Sequence, residues 1–494
     1  MVEKGSGFRS FCRAERKEMV TDDCSVHLRT DRNRLKTPRK PNNFIPRRRC
    51  RPTASLLART RMSFSRCLNS PKKRHCAIVL LCALSTLALT LRLSSPTDPR
   101  AVTGFPEERG SYVSWRNLSR KQVDSLSVLG RRMFLQEDVG TPQDRNFTIL
   151  LWHYVEFTEK RLIYRFGDVK VDPFDDCSVH NCRITYEESA AATADAIYIH
   201  FHRTLGPHTF PKRSGPDQVW IWGTDESPQH NFWKAKDKNL KHYNGYFNWS
   251  MTFRMDSEVP VPYGRTLRLP DNQTAPELED LFAKKPKLAA AMMTNCGQSS
   301  NDRLPYIRHL QKLMKVDFYG RCGGLQCPGH FRKDCEVLDQ YKFYLSFENS
   351  NCHDYITEKV WWNALQKKAV PVVMGGRAED YRRLLPPGSF IHVDDFETPK
   401  DLAEYLKSLA SDRDSYLQFH QWRRQFEVVQ EHGYFGAPVY HYCRICEALN
   451  YNARTPTTYN DLEAFWGKQQ QCQPATWQGR LQRAAEKKEN RSRG

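Results

Sequence analysis

Between residues 146 and 440 the apolar positions fall into short runs, set apart by polar loops and by stretches at helical spacing. The clearest case is residues 341–376, YKFYLSFENSNCHDYITEKVWWNALQKKAVPVVMGG. Tyr341 to Phe347 is aromatic and apolar, as a buried strand requires. Residues 348–354 are polar and read as a loop. From 356 to 368, Ile356, Val360, Trp361, Ala364 and Leu365 recur at helical spacing. Residues 369–374 form a second apolar run, closed by Gly375 and Gly376. Strand, loop, helix, strand is one βαβ unit. Such units bind ligands at the carboxyl ends of their strands, beside the next helix N-terminus.

The same alternation predicts the rest of the fold. Strands are expected at 147–154, 196–201 and 219–222, with a helical run at 187–195. The proline- and acid-rich residues 269–287 read as a connection. A second series follows: strand 288–293, helix 303–314, strand 316–319, the central unit, strand 389–393 and helix 400–410. Residues 422–429 read as helical, and 459–466 as a C-terminal helix before a polar tail. This is an α/β chain with two open domains, 146–287 and 288–440, and a closing segment 441–494. Residues 94–145 show no sustained period and read as a stem.

Charge changes the picture at the N-terminus. The net charge is +20, and residues 1–75 hold 21 Lys and Arg against 6 Asp and Glu. That segment is aromatic-poor and reads as a disordered tail, not as a folded basic face for nucleic acid. Residues 76–91 carry no charge and Leu93 extends them past Arg92. They are short for a span, which takes about 17–25 residues, yet Lys72, Lys73 and Arg74 flank one end. A cleaved signal peptide fits poorly so far into the chain. The expectation is a signal anchor at 76–93 with its basic end cytosolic, and a lumenal remainder. Met62 would leave a shorter tail of 14 residues, which makes much of 1–61 dispensable.

Ten of the 16 cysteines lie beyond the anchor, an even number that suits disulfides in an oxidising lumen. Sequons at Asn117, Asn146, Asn248 and Asn272 agree, with a weaker one at Asn490. Cys177 and Cys182 are close enough to close a small loop on each other. Cys322, Cys327, Cys335 and His330 imitate a zinc set, but the same compartment favours disulfides.

Residues 348–355 crowd ligand-holding groups together: Glu348, Asn349, Ser350, Asn351, His353, Asp354 and Tyr355. Asp354 or Thr357 could simply cap the helix. Lys359 points the other way, because a cation near a helix N-terminus opposes the dipole unless an anion sits between them. That pattern favours a phosphate site.

FENSNCHDYITEKVWWNAL resembles the signature of the α1,3-fucosyltransferases. NWSMTFRMDSEVPVPYG (248–264) resembles that family's N-W-S motif ending in P-Y-G, and WIWGTDESP (220–228) its E-S-P segment. The resemblance covers about residues 146–466 and implies a GT-B fold of two Rossmann-like domains. It also implies a Golgi type II enzyme that moves L-fucose, with inversion, from GDP-fucose to the 3-hydroxyl of GlcNAc in glycoprotein glycans. An inactive glycan-binding relative is the alternative, and the acceptor stays open between the N-glycan core and a LacNAc-type unit.

Under the resemblance Glu226 matches the general base, with Asp225 a competitor beside it. Arg303 matches an arginine on the donor diphosphate, or is a solvated helix-face residue. Lys359 neutralises the leaving phosphate, and Tyr355 bonds it or packs. Glu358 suits the ribose or sugar hydroxyls, and Asn349 meets the donor sugar or holds the loop. Arg254 and Asp256 read as scaffold. Cys443 and Cys446 resemble the family's C-x-x-C and are expected to bond to each other. Protein cations replace a D-x-D metal, so no obligatory metal or other cofactor is expected; Asp175-Asp176, Asp394-Asp395 and Asp412-Arg413-Asp414 imitate D-x-D only loosely.

Overall fold

The computed structural model describes residues 114–493 apart from 154–158, 161, 166–168, 233, 273–276, 278–279, 298, 328–332 and 435–436. The expected basic tail and the anchor at 76–93 lie outside the described residues. Among those described, no helix is long and apolar enough to cross a membrane.

The apolar runs become two parallel sheets. The first joins β1 (Phe147–Trp152), β2 (Cys182–Thr185), β3 (Ala196–His200), β4 (Val219–Gly223), β5 (Trp249–Thr252) and β6 (Val259–Pro260), in the order β2-β1-β3-β4-β5-β6. β7 (Gly264–Arg268) leaves that sheet. The second joins β8 (Lys287–Met292), β9 (Val316–Tyr319), β10 (Tyr341–Phe347), β12 (Val370–Met374) and β13 (Ile391–His392), in the order β13-β12-β10-β8-β9. Each order reverses direction once, between β1 and β3 and between β8 and β10. Ligands of open parallel sheets sit outside the strand ends at such reversals. β4 and β10 are buried along their whole length, which is why their sequences are continuous apolar runs and not alternating ones.

Two further pairs tie the second half to the first and to the closing segment. β14 (Phe426–Gln430) runs antiparallel to β7, and β11 (Asn351–Cys352) runs antiparallel to β15 (Cys472–Gln473). Gly264 opens β7 against the ring of Trp361, where an added Cβ would come within 2.6 Å of Cδ2. The glycine of P-Y-G is therefore required by a residue of the signature helix.

Several expectations are corrected. Residues 422–429 are not helical: a short 3-10 turn (Gln421–Arg424) gives way to β14, whose adjacent β-branched Val428 and Val429 suit the edge it makes with β7. The run at 187–195 is only a 3-10 helix at Glu188–Ala192. The signature helix is α-helical at Glu358–Val360 and continues as a π-helix at Trp361–Gln366. The tail is not merely polar, because a helix at Trp477–Arg493 buries Trp477 against Tyr306.

The stem reading also fails for residues 114–135. A helix at Val128–Leu135 buries Leu129, Met133, Phe134 and Leu135, and Arg116 is 2% exposed. Arg116 donates to the carbonyls of Phe134 (2.9 Å), Arg383 (2.6 Å) and Thr266 (2.8 Å), so one guanidinium pins three segments distant in sequence.

Cysteine pairing differs from expectation as well. Cys443 bonds Cys177 and Cys446 bonds Cys182, at Cα separations of 5.4 and 5.8 Å, so Cys443 and Cys446 do not bond each other, nor do Cys177 and Cys182. The pair lies one turn apart on the helix His441–Tyr451, and both thiols face the 177–182 loop. Cys296–Cys322, Cys327–Cys335 and Cys352–Cys472 complete five bonds. Three of the four zinc-like residues are thereby disulfide-bonded, and His330 lies outside the described residues.

Candidate active site

A cleft of about 1140 Å³ opens between the strand ends of the two sheets. Glu226 lines it, in the turn just past β4. Facing it are Asn295, Ser299 and Ser300 from the loop after β8, and Asn349 from the loop after β10. Those two loops are stitched together: Ser300 N–H donates to Asn349 O (3.0 Å), and Asn301 Nδ2 to Glu348 O (3.0 Å). They flank the reversal point of the second sheet, where an open sheet of this order holds its ligand.

Glu226 is half-buried, and groups from the opposite half touch it. The Tyr355 hydroxyl donates to Oε2 at 3.1 Å, and Asn349 Nδ2 stands 3.5 Å from the same oxygen. The Ser350 hydroxyl donates to Ser227 Oγ at 2.7 Å, fixing the loop that carries the carboxylate. Burial pushes the Tyr355 phenol well above its ordinary range, with Glu226 adding to it, so Tyr355 stays a donor. Asp225 is engaged elsewhere: His432 Nε2 lies 3.4 Å from its Oδ2. Of the two neighbouring carboxylates, Glu226 is the one directed at the opposite loops.

Lys359 is paired within the protein, against the expectation that it waits for a phosphate. Lys359 Nζ is 3.1 Å from Glu348 Oε2 and 3.1 Å from Glu358 Oε1. Glu348 is fully buried, and its Oε1 accepts from Thr357 N–H at 2.8 Å. The anion between the lysine and the helix N-terminus is therefore the protein's own Glu348. Burial opposes the Lys359 charge, but Glu348 and Glu358 together hold its pKa above the usual value.

Arg303 is not a solvated helix-face residue. It is 4% exposed, Nη1 donates to Phe347 O at 2.8 Å, and Nε has no hydrogen-bond partner. Burial lowers its pKa, and Glu348 partly restores it. Its charge is felt at Lys359, so two cations and two carboxylates balance to zero in this corner. Of the six residues singled out, Glu226 and Asn349 form cleft wall. Tyr355 stands directly behind Glu226, and Arg303, Glu358 and Lys359 form a charged layer behind the loop. Arg254 and Asp256 make a paired scaffold contact (Nη2 to Oδ2 2.6 Å), and Arg254 also donates to Phe465 O (2.6 Å).

Other wall residues carried no separate signal. His230, four residues after Glu226, lines the cleft, as do Lys160, Lys238 and Lys468. Only the shortness of the turn from Glu226 to His230 could have marked the histidine. Asn117, Asn146 and Asn272 are exposed. Asn248 is not: it is buried, its Oδ1 accepts from Trp220 N–H (3.0 Å) and its Nδ2 donates to Thr457 O (3.1 Å). That carboxamide is structural in the folded chain, which corrects it as a glycosylation site.

Two family descriptions match the chain: fucosyltransferase, N-terminal, over residues 144–264, and glycosyltransferase family 10 (fucosyltransferase) C-term, over 282–466. A glycoprotein 3-alpha-L-fucosyltransferase A of Drosophila melanogaster is 37% identical over 307 residues, which is 61% of this chain and 57% of that protein. A 4-galactosyl-N-acetylglucosaminide 3-alpha-L-fucosyltransferase of Homo sapiens is 37% identical over 343 residues, 68% of this chain and 88% of that protein. A bovine 3-galactosyl-N-acetylglucosaminide 4-alpha-L-fucosyltransferase is 39% identical over 281 residues, 56% of this chain and 72% of that one. A crystal structure of an alpha1,3-fucosyltransferase with GDP-fucose aligns at a TM-score of 0.40 and 15% identity, covering 68% of this chain and 98% of that one.

Proposed function

The chain belongs to glycosyltransferase family 10, the fucosyltransferases, and from that premise we propose that it transfers L-fucose from GDP-fucose to the 3-hydroxyl of a GlcNAc residue in glycoprotein glycans. The observation that carries the reading is the position of Glu226. It faces, across one cleft, the two loops at the reversal point of the second sheet. Inversion at the anomeric carbon needs a base on the face opposite the leaving group.

In this reading the second half binds the nucleotide in the GT-B manner and the first half presents the acceptor. Glu226 takes the proton of the attacking hydroxyl, and the Tyr355 hydroxyl orients its carboxylate. Asn349 stands where a donor sugar passes between the halves. Arg303 keeps an unpartnered Nε behind the loops for the charge that grows on the leaving diphosphate, and Lys359, held between Glu348 and Glu358, fixes the start of the helix that the nucleotide approaches. A diphosphate is a good leaving group, so no second carboxylic acid and no obligatory metal enters the scheme.

Residues 76–93 anchor the enzyme in the Golgi membrane in type II orientation, with the basic tail cytosolic and residues 94–494 lumenal. Five disulfides using all ten cysteines beyond the anchor support that compartment. The test is incubation of the protein with GDP-fucose and two acceptors, an N-glycan core and a LacNAc-type glycan, followed by linkage analysis. Fucose at the 3-hydroxyl of GlcNAc is expected. A product at the 4-hydroxyl alone, or donor hydrolysis without transfer, contradicts the reading.

A further inference from the structure

We propose that His230 is a further catalytic residue of this site, whose Nε2 accepts a hydrogen bond from a hydroxyl of the transferred deoxyhexose. The proposal rests on the fucosyl-transfer reading above.

His230 closes the short turn that carries Glu226, its N–H donating to Ser227 O at 2.8 Å. The ring lies on the cleft wall. It lies near enough to feel the charges of Glu226, in its own turn, and of the buried Arg303 from the other half. The Asn349 backbone accepts a hydrogen bond from the ring. Nε2 is buried and has no partner. A buried polar nitrogen without a partner is unfavourable, and a bound ligand group accounts for it.

The identity of that group follows from the tautomer. With the Asn349 carbonyl as partner, Nδ1 carries the proton and Nε2 presents a lone pair. Burial keeps the imidazole neutral below its ordinary titration range; Glu226 pulls the other way and Arg303 reinforces burial. A lone pair needs a hydrogen donor. A diphosphate ionised at neutral pH has no proton to offer, and the attacking acceptor hydroxyl is directed at Glu226. The nucleotide's ribose and guanine donors belong with the second half in this reading, which leaves the ring hydroxyls of the sugar passing between the halves beside Asn349. One such bond fixes the rotation of the sugar, so that its anomeric carbon faces the acceptor oxygen.

The test uses the full chain in detergent with GDP-fucose and its 2-, 3- and 4-deoxy analogues, comparing wild type with His230→Ala and His230→Gln. His230→Ala is expected to lower kcat/KM for GDP-fucose about tenfold while GDP affinity stays near wild type. His230→Gln, whose Oε1 reaches roughly the place of Nε2, is expected to recover part of the loss. With one deoxy donor the alanine effect is expected to vanish. An equal alanine loss with every deoxy donor, or a parallel loss of GDP affinity, overturns the proposal. Should His230→Ala not fold, His230→Asn, whose carboxamide stops short of Nε2, takes its place under the same criteria. If wild type transfers no fucose at all, the functional reading itself has failed; if only the His230 effects are absent, this proposal alone has.

Discussion

Glu226 and Glu348 are both carboxylates just beyond a buried parallel strand, one in each half of the molecule, and their environments differ completely. Glu348 is fully buried and saturated: Thr357 N–H, Thr357 hydroxyl and Lys359 all hold it. Glu226 is half-buried, touches a tyrosine hydroxyl and an amide at the limit of contact, and faces the cleft. The two sheets share one strand order, so the scaffold does not separate the roles. What separates them is how much of each carboxylate is already satisfied. A saturated carboxylate holds a helix and a lysine in place, whereas an unsaturated one can take up a proton from a ligand.

That contrast can be broken by substitution, and the largest effect is expected at the base. Glu226→Gln should lower kcat for transfer about a thousandfold, read in a radiolabelled-fucose assay. Activity within a few-fold of wild type removes it as the base. Opening the Cys352–Cys472 bond with serine at both positions releases a 120-residue separation. It should cost about 4 kcal/mol of stability, seen by denaturant titration, and raise the KM for donor because the bond ties the signature loop to the tail. A change in stability without a change in KM would detach the bond from donor binding.

Glu348→Gln sharpens the same comparison. It leaves Lys359 with one carboxylate in place of two, and the melting temperature should fall, as it does when a buried pair loses one partner. An unchanged melting temperature would show that the pair carries no structural load.

A smaller, pH-dependent effect belongs to the layer behind. Burial raises the Asp380 carboxyl, but the hydrogen bond and charge of His353, with Arg383, hold it at about 2. His353 is raised despite burial by Asp354 and Asp380. The signs are opposite. The depressed Asp380 lends stability above the ordinary carboxylate range, lost as pH falls toward 2. The raised His353 lends stability below its ordinary range, lost as pH rises through its folded value. Asp380→Asn should flatten both limbs of a melting-temperature profile, and two unchanged limbs would contradict the pairing. The smallest effect is expected from a chelator, which should leave most of the activity; complete and metal-reversible loss would place a divalent ion in the site.

The signature unit was legible because its strands are buried on both faces and its loop is dense with polar groups, so composition and position agreed. The position of Lys359 does imply an anion, but its owner was hidden, since Glu348 lies nine residues before Thr357 and only the fold brings it back. Cysteine pairing was illegible for the same reason: Cys443 and Cys446 are neighbours in sequence, but their partners lie 266 and 264 residues away. Residues 114–135 escaped notice because their helices are short. A capping box at Ser119 and Gln122 was nonetheless present in the sequence, ahead of the apolar cluster ending at Leu135.

The division of labour between the halves is tested most directly by measuring transfer rate and GDP affinity side by side for Glu226→Gln and Lys359→Ala. The account predicts a crossed result: Glu226→Gln keeps wild-type GDP affinity and loses turnover, while Lys359→Ala loses about tenfold to a hundredfold in GDP affinity. If Glu226→Gln weakens GDP binding as much as Lys359→Ala does, or Lys359→Ala leaves it unchanged, the assignment of base and nucleotide to opposite halves is wrong.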